Sequence, residues 1–422
     1  MALHEQDVIV IGGGAAGYFC AVNAARLEPG LKVTILEKSN KVLAKVRISG
    51  GGRCNVTHAC FDIADMIKRY PRGSNFVKKT FYQFFTTDTI EWFLQRGVKL
   101  KQEADGRMFP VSDSSQTIID CLTREAGLYG VQTRLHCDVR SIRKNDDGFA
   151  VECADGRLFT APYICIASGG YPKASMFDWI TAPGHSINDP VPSLFTLNIP
   201  KHPILELMGV SVEQARVRIN GTSLEQTGPL LITHWGLSGP VVLRTSAWGA
   251  RLLAEREWKC VAQVNWIPSL SENELREKFA SLRYTIAAQK VSSKNHFGLP
   301  ARLWEYFLRE AGVKEDTRWS DLPAKDANKL IRLLNASEFN VQGKTTYKEE
   351  FVTAGGVKPG EVDAGTMMSR QIPGLFFAGE VLDVDGITGG FNFQHAWTSG
   401  YVAAKAIASM AEERVGRGDG VA

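Results

Sequence analysis

Long apolar runs are missing. Nowhere do about 18 uncharged apolar residues follow one another, so no transmembrane helix and no membrane partner are expected. Cysteine is sparse, with eight in 422 residues and neither a Cys-x-x-Cys pair nor zinc-ligand spacing. That excludes a disulfide scaffold and points to a reducing, cytoplasmic setting. Charge of one sign is also scarce. The 49 Lys+Arg against 45 Asp+Glu leave +4, too little to mark a nucleic-acid binder. No period and no low-complexity run occurs, which excludes collagen, coiled coil and wholesale disorder. Met1 to Asp7 carry no basic stretch before the short apolar run Val8–Ile11, so no signal peptide is expected. Glycine is what the chain has in quantity: 40 residues, enough for many tight turns.

The first forty residues read β-α-β. Val8-Ile9-Val10-Ile11 suits a buried parallel strand. A glycine-rich turn and the helical stretch Tyr18 to Leu27 follow, and Pro29-Gly30 ends that helix. Lys32 to Glu37 forms the second strand. Residues 56–128 look mostly helical. Val131 to Ile166 looks like a meander, with hairpin turns at Asp146-Asp147-Gly148 and Ala154-Asp155-Gly156. Five prolines between Pro183 and Pro203 mark a crossing between domains. Short strands dominate to about Pro268. A capping box at Ser271 to Glu274 then opens a helical stretch reaching about Asn335. Strand signals return after Gly343, and an Ala-rich helix closes the chain from Phe393 to Met410. Residues 196–343 hold 19 basic and 15 acidic residues, while the rest holds 30 of each. The expected fold is therefore α/β. A split domain covers 1–193 and 345–415, interrupted by a barrel-like β insert at 194–268 and a helical insert at 269–344.

Gly12-x-Gly14-x-x-Gly17 carries most weight. Gly12 permits a tight turn, Gly14 lets backbone approach a pyrophosphate, and Gly17 lets helix and strand pack closely. Helix amides then face the diphosphate. Glu37, twenty residues past Gly17, is placed to accept hydrogen bonds from ribose hydroxyls. The order strand, glycines, helix, strand, acid reads as a dinucleotide site. A purely structural glycine turn does not account for the acid. Only one such fingerprint occurs. Gly379-Glu380, after a late strand, is either a ribityl-binding acid of a two-half FAD fold or an ordinary β-turn. Gly389-Gly390-Phe391-Asn392 would bring helix N-terminal amides to a flavin's pyrimidine edge.

Ile48-Ser49-Gly50-Gly51-Gly52-Arg53-Cys54-Asn55-Val56-Thr57 resembles the signature of the BaiN-like (YhiN-type) family of FAD-dependent flavoproteins, also known as the aminoacetone-oxidase family of NAD(P)/FAD-dependent oxidoreductases. Three further stretches agree in order: Thr233 to Pro240, Thr353 to Val357, and Gly379 to Gln394. The resemblance spans about 5–410. It implies a two-half Rossmann-like FAD-binding domain with an inserted β-barrel and helical subdomain. It implies that Gly12, Gly14, Ala15, Ala16, Gly17, Glu37 and Lys38 hold the adenosine and diphosphate. Val139 would contact adenine through its backbone. Ala167, Ser168 and Gly169 would cross the cofactor a second time. Arg53, Cys54 and Asn55 would lie near the flavin, with Gly379, Glu380, Gly390, Phe391 and Asn392 at the ribityl chain and ring. The chain departs from the family pattern in three places. Ala167-Ser168-Gly169-Gly170 stands for Ala-Thr-Gly-Gly. The stretch Tyr171 to His185 lacks a Gly-Ser-Thr-Gly-Asp-Gly run. His58 stands where Asn is common.

Cys54 is either a thiol activated by Arg53 and the loop glycines or a small buried lining residue. His234, in a Gly/Ser/Pro-rich turn, is either a general acid or substrate anchor, or a loop histidine bonding backbone. His395 reads as a cap or packing residue. Asp383 and Asp385 lack visible metal partners, and no metal is expected. The resemblance implies an enzyme with non-covalent FAD and with NAD(P)H as transient electron donor. The favoured reading is an ene reductase converting uridine to dihydrouridine in 23S ribosomal RNA. The alternatives are an aminoacetone-type amine oxidase using oxygen, and a flavin-carrying RNA-binding protein without turnover.

Overall fold

The fold was analysed in a computed structural model, which describes residues 3–346 and 352–418. The chain divides into two compact units, residues 1–192 with 348–422, and residues 193–347.

The first unit is built on five parallel strands. We label them β1 (Val8–Ile11), β2 (Val33–Leu36), β3 (Gln132–Arg134), β4 (Tyr163–Ile166) and β5 (Leu375–Phe377). Their order is β5-β4-β1-β2-β3. The three central strands, β4, β1 and β2, are buried at every position. Such continuous apolar runs are what a sheet covered on both faces requires. In register, Ile11 faces Leu36 on one side and Ile166 on the other, and Ile166 faces Phe377. The carboxyl ends of β1, β2, β4 and β5 therefore share one edge, where open α/β sheets bind ligands.

Three helices matter to that edge: α1 (Ala15–Leu27), α2 (Ala44–Gly52) and α3 (Phe391–Gly418). The helices α1 and α3 pack against each other at Gly400, where a Cβ would lie 2.7 Å from the Ala16 carbonyl oxygen. The expected meander is present. Val139–Asn145 and Gly148–Cys153 form a hairpin in which Asn145 faces Gly148, and Leu158–Ala161 adds the third strand. The 56–128 stretch is less helical than expected. Besides its helices it holds a small sheet of Thr57–His58, Arg107–Pro110 and Leu100–Gln102.

The second unit carries a seven-stranded antiparallel sheet. Its order runs 337–342, 259–265, 211–219, 225–232, 236–238, 196–198, 344–345. Among the described residues no ladder joins the two ends of this order. The end strands instead succeed each other in the chain, on either side of Gly343 (φ +118°). Helices Glu272–Thr285, Ala301–Ala311 and Ala324–Ala336 share one apolar core with the strands, Leu303, Phe307 and Leu334 packing with Val217 and Trp266. The capping box at Ser271 is formed: its hydroxyl accepts from Glu274 N–H (3.3 Å) and its own N–H donates to Glu274 Oε2 (2.7 Å).

Candidate active site

The glycine loop does what its spacing promises. A Cβ on Gly12 would lie 2.3 Å from the Ala167 carbonyl oxygen, and one on Gly17 would lie 1.9 Å from that of Gly12. Neither position admits a side chain. A Cβ on Gly14 would meet nothing within 4 Å, so that backbone faces open space. The Tyr18 amide is the first in α1 to bond back, to Gly14 (3.0 Å). The amides of Ala15, Ala16 and Gly17 thus face out of the helix end, and no acidic side chain occupies the first turn. This is a ready anion cradle.

Glu37 closes over the loop. Its Oε2 accepts from Gly13 N–H (2.8 Å) and its Oε1 from Ser39 N–H (2.8 Å). Each oxygen keeps a lone pair for a further donor. Cys137 N–H bonds the Glu37 carbonyl (2.9 Å), which leads the chain to the buried Val139 beside the same strand end. The Lys38 ammonium lies 5.3 Å from the centre of the Tyr171 ring, beyond Ser168 and Gly169.

Gly379 and Glu380 join the cradle. A Cβ on Gly379 would lie 2.8 Å from that of Ala16. Ser399 Oγ on α3 accepts from Gly379 N–H (2.9 Å), and His395 Nε2 lies 3.3 Å from the Gly379 carbonyl. Glu380 accepts from Thr353 N–H (3.0 Å) and pairs with Lys45 on α2 (2.5 Å). A Cβ on Gly170 would press on Thr353 Oγ1 (2.5 Å) and Glu380 Oε1 (2.9 Å). Burial drives the His395 pKa down to about 4, so its ring is neutral. Two buried polar atoms here, Thr353 Oγ1 and His395 Nδ1, have no partner among the described residues.

The signature run 49–55 forms the far end. Gly50, Gly51 and Gly52 have φ of +59°, +69° and +85°. Only glycine adopts three successive left-handed residues without penalty. Cys54 follows with φ +62°, a strained value for a side-chain-bearing residue. Its thiol is buried, and burial pushes its pKa up to about 12. Of the two readings of Cys54 this favours the buried lining residue, since the thiolate is the reactive form. Arg53 does not serve Cys54 as an activating cation. Its guanidinium pairs with Glu103 (2.6 Å) and lies 4.0 Å over the Phe109 ring.

Asn55 reaches the last helix. With its oxygen toward Gly390 N–H it accepts at 2.9 Å, and its nitrogen donates to the Thr57 carbonyl at 3.0 Å. Thr57 Oγ1 bonds Gln394 Oε1 (2.6 Å), and Trp397 Nε1 donates to the Val56 carbonyl (2.9 Å). The Asn392 side chain is committed to both backbone groups of Gly386 (2.7 and 3.0 Å), so only its amide is available to a ligand. The first helical bond of α3 is Gln394 N–H to the Gly390 carbonyl (3.0 Å). The amides of Phe391, Asn392 and Phe393 therefore face out of this helix end too.

His234 belongs to the second unit, where it is exposed. Its turn is held by Thr233 Oγ1, which accepts from Trp235 N–H (3.3 Å) and Gly236 N–H (3.2 Å). Asp383 accepts from Asn188 Nδ2 (2.6 Å), and Asp385 is ion-paired with Arg72. Lys45 is the residue here that the sequence did not single out. Lys45 meets its partner 335 positions away, so no local pattern announces it.

Two outward helix ends, the open backbone of Gly14 and orphaned buried polar atoms fit an elongated dinucleotide with a diphosphate and a polar ring edge. Residues 6–406 match the family described as HI0933-like protein Rossmann domain. The chain is 32% identical over 422 residues to the ribosomal RNA dihydrouridine synthase of Escherichia coli, covering 96% of this chain and 98% of that one. It is 29% identical over 412 residues to the 3-dehydro-bile acid delta(4,6)-reductase of Clostridium scindens, covering 94% and 98%. In fold it is similar to the 3-ketosteroid-delta4-(5alpha)-dehydrogenase of Rhodococcus jostii (TM-score 0.51, 15% identity, 96% and 97% covered). Among the described residues no helix is long and apolar enough to cross a membrane. The chain belongs to the HI0933-like family and is an FAD-dependent oxidoreductase.

Proposed function

We propose that this member of the family is an ene reductase that takes hydride from NAD(P)H and saturates the C5–C6 bond of uridine in 23S ribosomal RNA, in the cytoplasm. The observation that carries the reading is full-length similarity to two reductive enzymes, with the higher identity to the one named for ribosomal RNA. FAD, when bound, carries the hydride between donor and acceptor.

The chain's own residues hold and orient that group. The amides of Ala15, Ala16 and Gly17 take the diphosphate, and the open face of Gly14 lets it approach. Glu37 would accept from the adenosine ribose, and Val139 would contact adenine through its backbone. Glu380, fixed by Thr353 and Lys45, takes the ribityl hydroxyls. The free amides at the start of α3 would face the pyrimidine edge and stabilise negative charge there. Asn55, bonded to the Gly390 N–H and the Thr57 carbonyl, would hold the start of α3 in place beside that edge. A single glycine fingerprint in the chain leaves the nicotinamide to visit the flavin directly, without a dinucleotide domain of its own.

Anaerobic reduction of the bound flavin by NADH and NADPH tests this, followed by reoxidation with uridine-containing ribosomal RNA or with air. Fast reduction, RNA-dependent reoxidation and dihydrouridine in the product are expected. Poor reduction by nicotinamide with fast reoxidation by air would replace the reading with an amine oxidase. Salt-dependent RNA retention without NAD(P)H consumption would replace it with a non-catalytic RNA-binding protein.

A further inference from the structure

One peptide unit at the ring end of the site is gripped from both sides. The Gly389 carbonyl and the Gly390 N–H belong to the same peptide, between two residues at φ +133° and +95°. A Gly–Gly peptide is easily reversed, because neither residue has a Cβ to oppose the flip. Reversal would point a carbonyl oxygen where the N–H now points. Asn55 accepts from the N–H at 2.9 Å. On the other side, His58 Nδ1 lies 3.1 Å from the carbonyl oxygen. A carbonyl only accepts, so this nitrogen carries the proton.

The ring is built into that place. His58 stacks on Phe391, with centroids 4.7 Å apart and an interplanar angle of 28°. Its strand is anchored by pairing of His58 with Arg107. Behind it stands Gly106 (φ +88°), where a Cβ would come within 2.6 Å of Nε2. Burial holds the imidazole below its ordinary pKa, against the raising effect of its bond to the Gly389 carbonyl.

We infer that His58 is a positioning residue for the flavin: its Nδ1–H locks the Gly389–Gly390 peptide and so keeps the first amides of α3 aimed at the pyrimidine edge. The inference rests on the proposed placement of FAD. It assigns the work to one donor atom, which separates it from packing. In asparagine the side-chain nitrogen sits where Nδ1 sits in histidine, whereas glutamine carries it one bond further.

The test uses the FAD-loaded full chain as wild type, His58→Asn, His58→Gln and His58→Ala. Two quantities are read: the flavin midpoint potential against a reference dye, and the dissociation constant of FAD from the apoprotein. His58→Asn is expected to match wild type. His58→Gln and His58→Ala are expected to weaken FAD binding roughly fivefold to tenfold, the worth of one hydrogen bond. They also lower the potential, by about 30 mV for a tenfold preferential loss of the reduced form. Wild-type values in all three variants would overturn the inference. So would equal losses in His58→Asn and His58→Gln, which would make the ring a packing element. Should the alanine variant not fold, the asparagine–glutamine pair still decides. A wild-type chain that binds no FAD would instead overturn the placement of the cofactor.

Discussion

Replacing His395 by glutamine separates a proton from a hydrogen bond. The imidazole is 2% exposed, and its Nε2 lies beside the Gly379 carbonyl. Its folded pKa is about 4, against 6.5 for a free histidine. Between those values the unfolded chain binds the proton and the folded chain does not. Its contribution to stability is therefore whole above about pH 6.5 and declines as pH falls toward 4, by about 3 kcal/mol across the window. From pH 7 to pH 5 the decline is about 2 kcal/mol, or roughly 5 °C in melting temperature for a unit of this size. Burial also lowers the pKa of His58, His185, His202 and His296, so wild type loses stability from several rings at once. The glutamine variant keeps a donor for Gly379 and cannot titrate. The assay is the temperature at which flavin fluorescence is released, at pH 7 and pH 5, for both proteins. Wild type is expected to drop roughly 5 °C further than His395→Gln. An equal drop would refute the claim that His395 is held neutral in the folded chain.

Three other outcomes follow from the geometry. Gly17→Ala drives a methyl onto the Gly12 carbonyl. It should cost about 3 kcal/mol and abolish FAD retention on gel filtration; a yellow, stable variant would contradict the packing described. Asp385→Ala strips the partner from Arg72 in a buried pair and should destabilise the first unit by about 3–5 kcal/mol in calorimetry; a loss under ~1 kcal/mol would show the pair to be dispensable. A thiol reagent at neutral pH should modify the part-exposed Cys60 and Cys260 and spare Cys54, as mapped by peptide mass; early labelling of Cys54 would revive it as a reactive thiol.

The parts of the fold written in local chemistry were legible. The strand at Val8, the glycine turn and the acid at Glu37 each depend on neighbours within forty residues, and they fall where expected. The hairpins at Asp146 and Ala154 and the capping box at Ser271 were legible for the same reason. The small sheet at 57–58, 100–102 and 107–110 was not. Its strands are two to four residues long and partly exposed, too short for a period to show. Lys45 escaped because its meaning lies in Glu380, which the fold brings from far along the chain. For Cys54 the sequence left two states open, an activated thiol and a small buried lining residue. A flanking arginine suggests activation, whereas the guanidinium turns to Glu103 and the thiol is buried.

The division of the first unit has a consequence for how the chain is made. The Gly12–Gly17 turn leaves the ribosome before residues 193–347, and the residues that back it, Gly379, Ser399 and Gly400, leave after them. Residues 193–347 emerge in between. At ~5–20 residues per second that interval is on the order of ten to thirty seconds. Through it the nascent chain holds half a cradle, with Ala16 and Cys20 still lacking the helix that covers them. A chain truncated before α3 lacks Ser399 and Gly400 and cannot complete the cradle.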